Sequence, residues 1–337
     1  MLYIFLIYFI IFIIGIKYNK NFNKEYLNKK NTTIVNGLFI LIVFFSHFSQ
    51  YIAITKSMDI YFYKVLEWIG QLMVTTFFFF SGYGIYESIK NKKEYINNFF
   101  KKRYIPTYTN WLIALFLFLI LNIILRNELT LSKIILSIIG WDGIGNSNWF
   151  MFDTFILYIF IIVSFKIYKN KKNQIRGVTL MTIISVGVLY FYKDPFWYNT
   201  VLCFPLGMWY SYYKEKIDSY LFNNKRYYIV LLTTFLLTIS LVYVYMKIRT
   251  STFIYIGTAC IFVLFIATLM MKLDFNSKIF TWIGTNLFWV YILQRLPMIG
   301  LNSKMNNNYV YILLCMIITF ILIEIIITIK KKIKNKV

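Results

Sequence analysis

The sequence predicts an all-α polytopic integral membrane protein with about eleven transmembrane helices, its N-terminus outside and its C-terminus cytoplasmic. Three observations predict it. First, 59% of the 337 residues are hydrophobic and 15% are charged, against about 25% charged in soluble domains. A chain this apolar takes the bilayer as its solvent. Second, the apolar residues fall into eleven continuous stretches, most of about 16–21 residues. Roughly 20 residues span a hydrocarbon core, and only helices or closed barrels satisfy the backbone there. Continuous rather than alternating runs exclude a barrel. Third, Lys and Arg sit in short clusters between these runs, on alternate connections.

Helices are expected near 2–17, 33–52, 72–90, 105–125, 148–166, 178–192, 197–213, 228–246, 252–271, 279–294 and 309–329. Their connections alternate in charge. The stretches 17–30, 90–103, 166–176, 214–226 and 272–278, with the tail from Lys330, hold 27 of the 36 Lys and Arg. The other connections hold 9. The positive-inside rule puts the 27 in the cytoplasm. The expected organisation is an additional helix at 1–17, a membrane domain over 33–329 and a basic tail over 330–337. The outer connection 126–147 contains the apolar run Ile134–Ile139, which suits a re-entrant or interfacial segment. Residues 2–16 lack a basic region before them and a small-residue cleavage site, so they read as a retained helix and not a signal peptide. The expected location is a bacterial inner membrane.

Composition removes several function classes. The net charge of +23 is explained by topology, so no nucleic-acid partner is expected. Cys203, Cys260 and Cys315 lie inside apolar runs and read as small buried residues. With a single His and scattered Cys, no zinc site is expected. The abundance of Phe, Tyr, Ile, Asn and Lys fits an AT-rich coding bias, so the aromatic count alone marks no ligand site.

A few residues stand out against this apolar background. His47, the only histidine, lies deep in the second run. Ionisable groups inside a membrane are costly and usually functional, and imidazole moves protons near neutral pH. The bland alternative is a structural His bonded to a neighbouring helix. Ser81, Gly82 and Tyr83 follow four Phe residues; the glycine suits close helix packing, and exposed backbone suits a ligand. Lys101, Lys102 and Arg103 precede Pro106 at a cytoplasmic helix entrance. They fit a topology signal or a phosphate site. Ser147, Asn148 and Trp149 open the fifth helix as caps and an interfacial anchor. Asp153 sits one turn inside, where a carboxylate needs a partner. Tyr291, Gln294 and Arg295 end the tenth helix, the last two reaching the outer interface, where Arg295 has snorkelling as its simplest role.

Together these segments resemble acyltransferase family 3, membrane acyltransferases that modify sugars and surface polysaccharides. The likeness runs in order from Gly37…His47 through Phe77…Ser81-Gly82, Lys101…Pro106 and Trp149-Phe150 to Tyr291…Gln294-Arg295. The last element and the helix at 2–17 resemble a capsule-type branch. One departure is Asn36, which stands where the family commonly has a basic residue eleven positions before the His. The resemblance implies acyl-CoA, acetyl-CoA by default, as co-substrate, with no permanently bound cofactor. It implies His47 as catalytic base or transient acyl carrier. Lys101, Lys102, Arg103, Ser81, Gly82 and Tyr83 are the donor side. Asn148, Trp149, Asp153, Tyr291, Gln294 and Arg295 are the acceptor side. The implied partners are the lipid bilayer and a cell-surface or lipid-linked saccharide; the oligomeric state is open. Two alternatives stay in view: a polysaccharide flippase or exporter, and a non-catalytic assembly partner.

The charge asymmetry gives a direct test of orientation. A reporter fused after Val337 is expected to behave as cytoplasmic, and an extracytoplasmic signal there contradicts a count of eleven.

Overall fold

A computed structural model of the protein describes residues 1–53, 57–92, 94–248 and 251–335. Lys56, Lys93, Arg249 and Lys336, which enter the charge count, lie outside the described residues. The chain order is α1 (Leu2–Ile14), β1 (Ile16–Tyr18), α2 (Lys29–Phe48), α3 (Ser57–Asn91), α4 (Ile105–Ile124), α5 (Leu131–Ile138), α6 (Trp149–Ile167), α7 (Lys171–Tyr192), α8 (Cys203–Tyr212), α9 (Lys214–Leu221), α10 (Asn224–Ile248), α11 (Thr252–Met270), β2 (Leu273–Phe275), α12 (Lys278–Thr285), α13 (Leu287–Leu293), α14 (Arg295–Leu301) and α15 (Asn308–Lys334). Among the described residues eight helices are long and apolar enough to cross a membrane: α2, α3, α4, α6, α7, α10, α11 and α15.

The other three predicted spans are shorter or interrupted. Residues 2–17 give the 13-residue α1, which then enters β1. Residues 197–213 give a turn of 3₁₀ helix at Pro195–Trp197 and then only the 10-residue α8. The intervening backbone is tied to α3, since Gln71 donates to Phe196 O at 2.9 Å and to Asn199 Oδ1 at 2.6 Å. The predicted single helix 279–294 is broken at Asn286 (φ −99°, ψ 19°). Asn286 Nδ2 donates back to Trp282 O at 3.0 Å, a local bond that competes with the helical ladder. The third helix instead starts far earlier than the apolar run suggests. Its first turns carry Asp59, Lys64 and Glu67, which conceal the helix from hydropathy. Asp59 accepts from the N-terminal ammonium at 3.1 Å.

Connections predicted to share a side bond to one another. On the basic side β1 pairs antiparallel with β2, Ile16 opposite Phe275 and Tyr18 opposite Leu273. Tyr26, in the connection before α2, bonds Tyr210 at 2.9 Å and Asp218 at 2.8 Å. Burial and the Asp218 charge push its phenol far above the ordinary tyrosine value. Lys272 donates to Asn224 at 2.7 Å. On the opposite side Arg295 bonds Gln50, Tyr51 and Ser147, and Asn308 donates to Ala53 O at 3.0 Å.

Two backbone contacts set the core. A Cβ on Gly284 would meet the carbonyl of Thr33, and one on Gly37 the backbone of Phe280, so α2 and α12 cross with almost nothing between them. Likewise Gly82 of α3 meets the backbone of Phe204, and Gly207 of α8 meets Phe79. Small residues at such crossings are the usual device of membrane packing, where there is no hydrophobic gain between helices. Around these crossings Phe44, Phe45, Phe78, Phe79 and Trp111 are fully or almost fully buried.

Gly284→Ala is therefore expected to destabilise the fold by about 1–3 kcal/mol through overpacking. Gly187→Ala, where an added Cβ meets nothing within 4 Å, is the control. Thermal midpoints in detergent check this: a clear fall for the first and none for the second.

Candidate active site

The site has two parts joined by aromatic rings. The first is a polar cavity of about 700 Å³ at the basic side of the bundle. The basic-side ends of α2 and α3 and the turn before α4 form its walls through Asn36, Ser81, Tyr83, Glu87 and Arg103. Along α3 it extends from Asn91 to Phe77, about 21 Å at 1.5 Å per residue. It therefore reaches from one face toward the middle of a membrane. Glu87, on its wall, is engaged by Lys90 at 2.6 Å and by Ser211 at 2.7 Å. The lining also carries Lys29 and Arg103 as positive groups and Glu25 as a second carboxylate. Asn36 Oδ1 is buried there and has no hydrogen-bond partner among the described residues.

The donor-side residues divide. Ser81, Tyr83 and Arg103 line the cavity. Arg103 is on the π-helical turn Phe100–Tyr104 and donates to Tyr95 Oη at 3.1 Å. Lys101 and Lys102 share that turn but are exposed and outside the lining. Gly82 faces α8 and serves the close approach of the two helices, so its contribution is packing.

The second part surrounds His47. The α-helix of α2 ends at Phe48, one residue beyond it, and a 3₁₀ turn at Ser49–Tyr51 follows. His47 is half-buried, but its Nδ1 is enclosed and has no partner among the described residues. Its ring lies 6.0 Å from that of Tyr291, edge-on. Tyr291 in turn lies 5.0 Å from Phe150, and Phe150 forms the inner end of the polar cavity with Phe77 and Phe78. One aromatic side chain thus separates the cavity from the histidine's neighbour.

Several polar atoms in this shell lack a partner among the described residues: His47 Nδ1, Tyr291 Oη, Gln294 Oε1 and Asp153 Oδ2. An unsatisfied buried polar group costs about 1–3 kcal/mol, and such groups are few in native folds and call for an explanation. Asp153 is buried and within electrostatic range of Tyr291. Gln294 is fully buried; its Nε2 donates to Tyr291 O at 2.9 Å, and its Oε1 is enclosed. Arg295 does not snorkel freely. Its Nε donates to Ser147 Oγ at 2.9 Å, Nη1 to Tyr51 Oη at 3.0 Å and Nη2 to Gln50 Oε1 at 2.8 Å. It braces the end of α2, the entry to α6 and the start of α14, and its charge reaches His47.

Asn148 occupies the N-cap position of α6 but makes no capping bond; its Nδ2 donates instead to Gly140 O at 2.9 Å, fixing the loop before the helix. Trp149 is buried, with its ring 6.1 Å from Phe150 and 6.3 Å from Phe196, so it is a packed residue and not an exposed anchor. Sequence reasoning missed Ser147 and Tyr51 as the partners of Arg295 and Tyr158 as a neighbour of Ser81 and Arg103. Nothing in the residue types singles them out. Among the described residues no group of three or more His, Cys, Asp or Glu is placed to hold a metal.

A polytopic helical membrane protein with one half-buried histidine, a basic-side cavity and an aromatic partition between them is the class that fold and site define. A family model described as an acyltransferase domain matches residues 33–329. The chain belongs to acyltransferase family 3 and is a membrane acyltransferase. No curated protein and no solved structure gives a significant match to it.

The brace has a measurable consequence. Arg295→Met removes three charge-assisted bonds, each worth about 1.5–3 kcal/mol when made to a charged group. It is expected to lower the detergent thermal midpoint and to cut acyl transfer by about tenfold or more. Arg295→Lys, which keeps the charge but not the planar fork, is expected to recover stability only in part.

Proposed function

We propose that the protein transfers an acyl group, acetyl by default, from acyl-CoA to a hydroxyl of a cell-surface or lipid-linked saccharide at a bacterial inner membrane. The observation that carries this reading is the cavity on the basic side that ends one aromatic ring short of the His47 shell. A long, thin donor with phosphates at one end and a thioester at the other suits such a space. Its phosphates would meet Arg103 and Lys29 at the mouth, with Lys101 and Lys102 adding long-range attraction from outside the lining. Asn36 supplies an unpaired acceptor to an amide N–H of the arm. This lets a neutral residue serve at the position where relatives carry a positive charge.

The orientation in this reading keeps the N-terminus outside and the C-terminus in the cytoplasm. The donor enters from the cytoplasm and the acceptor from the other face. His47 takes the proton of the incoming hydroxyl as general base. The oxygen attacks the thioester carbonyl, the C–S bond breaks, and the imidazolium returns the proton to the leaving thiolate. The products are an ester on the saccharide and free CoA thiol. Tyr291 Oη is the nearest unpaired donor for the developing oxyanion. In a second route His47 itself carries the acyl group between the two substrates.

His47→Ala is expected to lower the transfer rate by about a hundredfold or more, with donor binding retained. Unchanged transfer by that variant contradicts the base and the acyl-carrier roles together. A burst of free CoA without acceptor, lost in His47→Ala, distinguishes the carrier route. On the donor side, Arg103→Gln and Asn36→Leu are each expected to raise the donor KM several-fold, with the acceptor KM little changed. Lys101→Gln is expected to have a smaller effect, because Lys101 stands outside the cavity.

A further inference from the structure

Two hollows outside the site described above meet at Trp141. One is an apolar groove of about 340 Å³ between α6 and α7, lined by Phe152, Ile156, Phe160, Ile184 and Val188. The other is a polar pocket of about 560 Å³ bounded by Trp141, Asp142, Asn148, Lys193, Asp194 and Trp197. The groove runs along α6 from Phe152 to Phe160, about 12 Å at 1.5 Å per residue. Half of a hydrocarbon core is about 15 Å. The groove lies on the first half of α6 and the second half of α7, the halves that adjoin the pocket. It thus matches one leaflet in length and has a polar chamber at its rim.

The chamber has a definite chemistry. Lys193 Nζ stands 4.1 Å from the Trp141 ring centre and 4.3 Å from that of Trp197, and it donates to Trp141 O at 2.7 Å. The ammonium is therefore engaged in holding the two indoles, whose centres are 6.3 Å apart. Asp194 is exposed and makes no capping bond to the turn that follows it. Asp142 spends one oxygen on Gly143 N at 2.7 Å. Two carboxylates and one ammonium leave the chamber with a surplus of negative charge, which disfavours a phosphate headgroup. Indole faces take the C–H face of a sugar ring, and carboxylates accept its hydroxyls.

We propose that groove and chamber together bind the acceptor as a lipid-linked saccharide, with the lipid chain between α6 and α7 and a neutral sugar against Trp141, Asp142 and Asp194. This rests on the acyl-transfer reading for what happens to the sugar, and it narrows the acceptor to a membrane-anchored glycan that enters sideways from the outer leaflet. The chamber connects to the His47 shell through a row of rings, so the saccharide must extend from the chamber for a hydroxyl to reach His47. Asn148 of the chamber adjoins Trp149, and from Trp149 the rings step to Phe150, Tyr291 and His47 over 6.1, 5.0 and 6.0 Å. Ser147, next along the same loop, holds Arg295.

The test is photolabelling of the full chain in nanodiscs with two trace probes of equal chain length. One is an alkyl glucoside and the other a phosphatidylglycerol, each with a diazirine at mid-chain. The glucoside probe is expected to label residues 152–160 and 181–189 about tenfold more than the phospholipid probe, equivalent to about 1.4 kcal/mol of differential binding. That labelling should be competed by unlabelled alkyl glucoside. It should fall by about the same factor in Ser185→Trp, which fills the groove, and in the double variant Asp142→Asn/Asp194→Asn, which leaves the groove intact. Equal labelling by the two probes, or labelling indifferent to both variants, overturns the proposal and assigns the groove to bulk lipid. Selective labelling in a protein that never transfers an acyl group sinks the acyltransfer reading and leaves the glycolipid site standing.

Discussion

Helix α2 carries Asn36, Gly37 and His47 on one rod, and its backbone contact with α12 fixes where that rod can lie. Gly37 and Gly284 let the two helices touch main chain to main chain, an approach that any side chain would prevent. Asn36 is then committed to the basic-side cavity and His47 to the other half of the membrane. Eleven residues of helix separate them, about 16 Å at 1.5 Å per residue. The same contact positions α13, and so sets Tyr291 beside His47 and Gln294 and Arg295 beyond it. A second pair of glycines, Gly82 and Gly207, fixes α3 against α8 and shapes the opposite wall of the cavity.

This arrangement splits the work between two environments. The cavity mouth carries the charged side chains Glu25, Lys29, Glu87 and Arg103. The His47 shell is more enclosed and holds polar atoms that no other described residue satisfies. In a bilayer there is no water nearby to offset such groups, so each one weighs on stability. Arg295 offsets part of that cost by bonding three separate segments around the shell. Phe150 and Tyr291 form the partition, and a ring is a suitable gate because it excludes water yet moves aside by rotation about two bonds. In the proposed reaction, a thioester kept behind that partition would be protected from hydrolysis until an acceptor hydroxyl is in place.

Much of the fold was legible in the sequence because hydropathy and charge act at the scale of whole helices. Each predicted apolar segment has a helical counterpart, and eight of those helices are long enough to cross. What the sequence hid was local. The break at Asn286 is accompanied by one side-chain bond that leaves average hydropathy unchanged, and the early start of α3 is concealed by Asp59, Lys64 and Glu67, whose charges lower the hydropathy of its first turns. In the site, His47 was conspicuous because it is unique and lies in an apolar run. Ser147 and Tyr51 were not, because a serine and a tyrosine matter here only through the guanidinium that they hold. Asn36 read as a defect against the expected pattern, and its unpaired oxygen on the cavity wall gives it a use.

The central claim is that donor and acceptor meet at His47 from opposite faces of the membrane. Proteoliposomes sorted for one orientation test it directly, with acyl-CoA supplied only on the side of the C-terminal tail and a glycolipid acceptor extractable only from the other leaflet. The account predicts acylated acceptor in that leaflet and none when the acyl-CoA is moved to the far side. Transfer that requires donor and acceptor on the same face contradicts it.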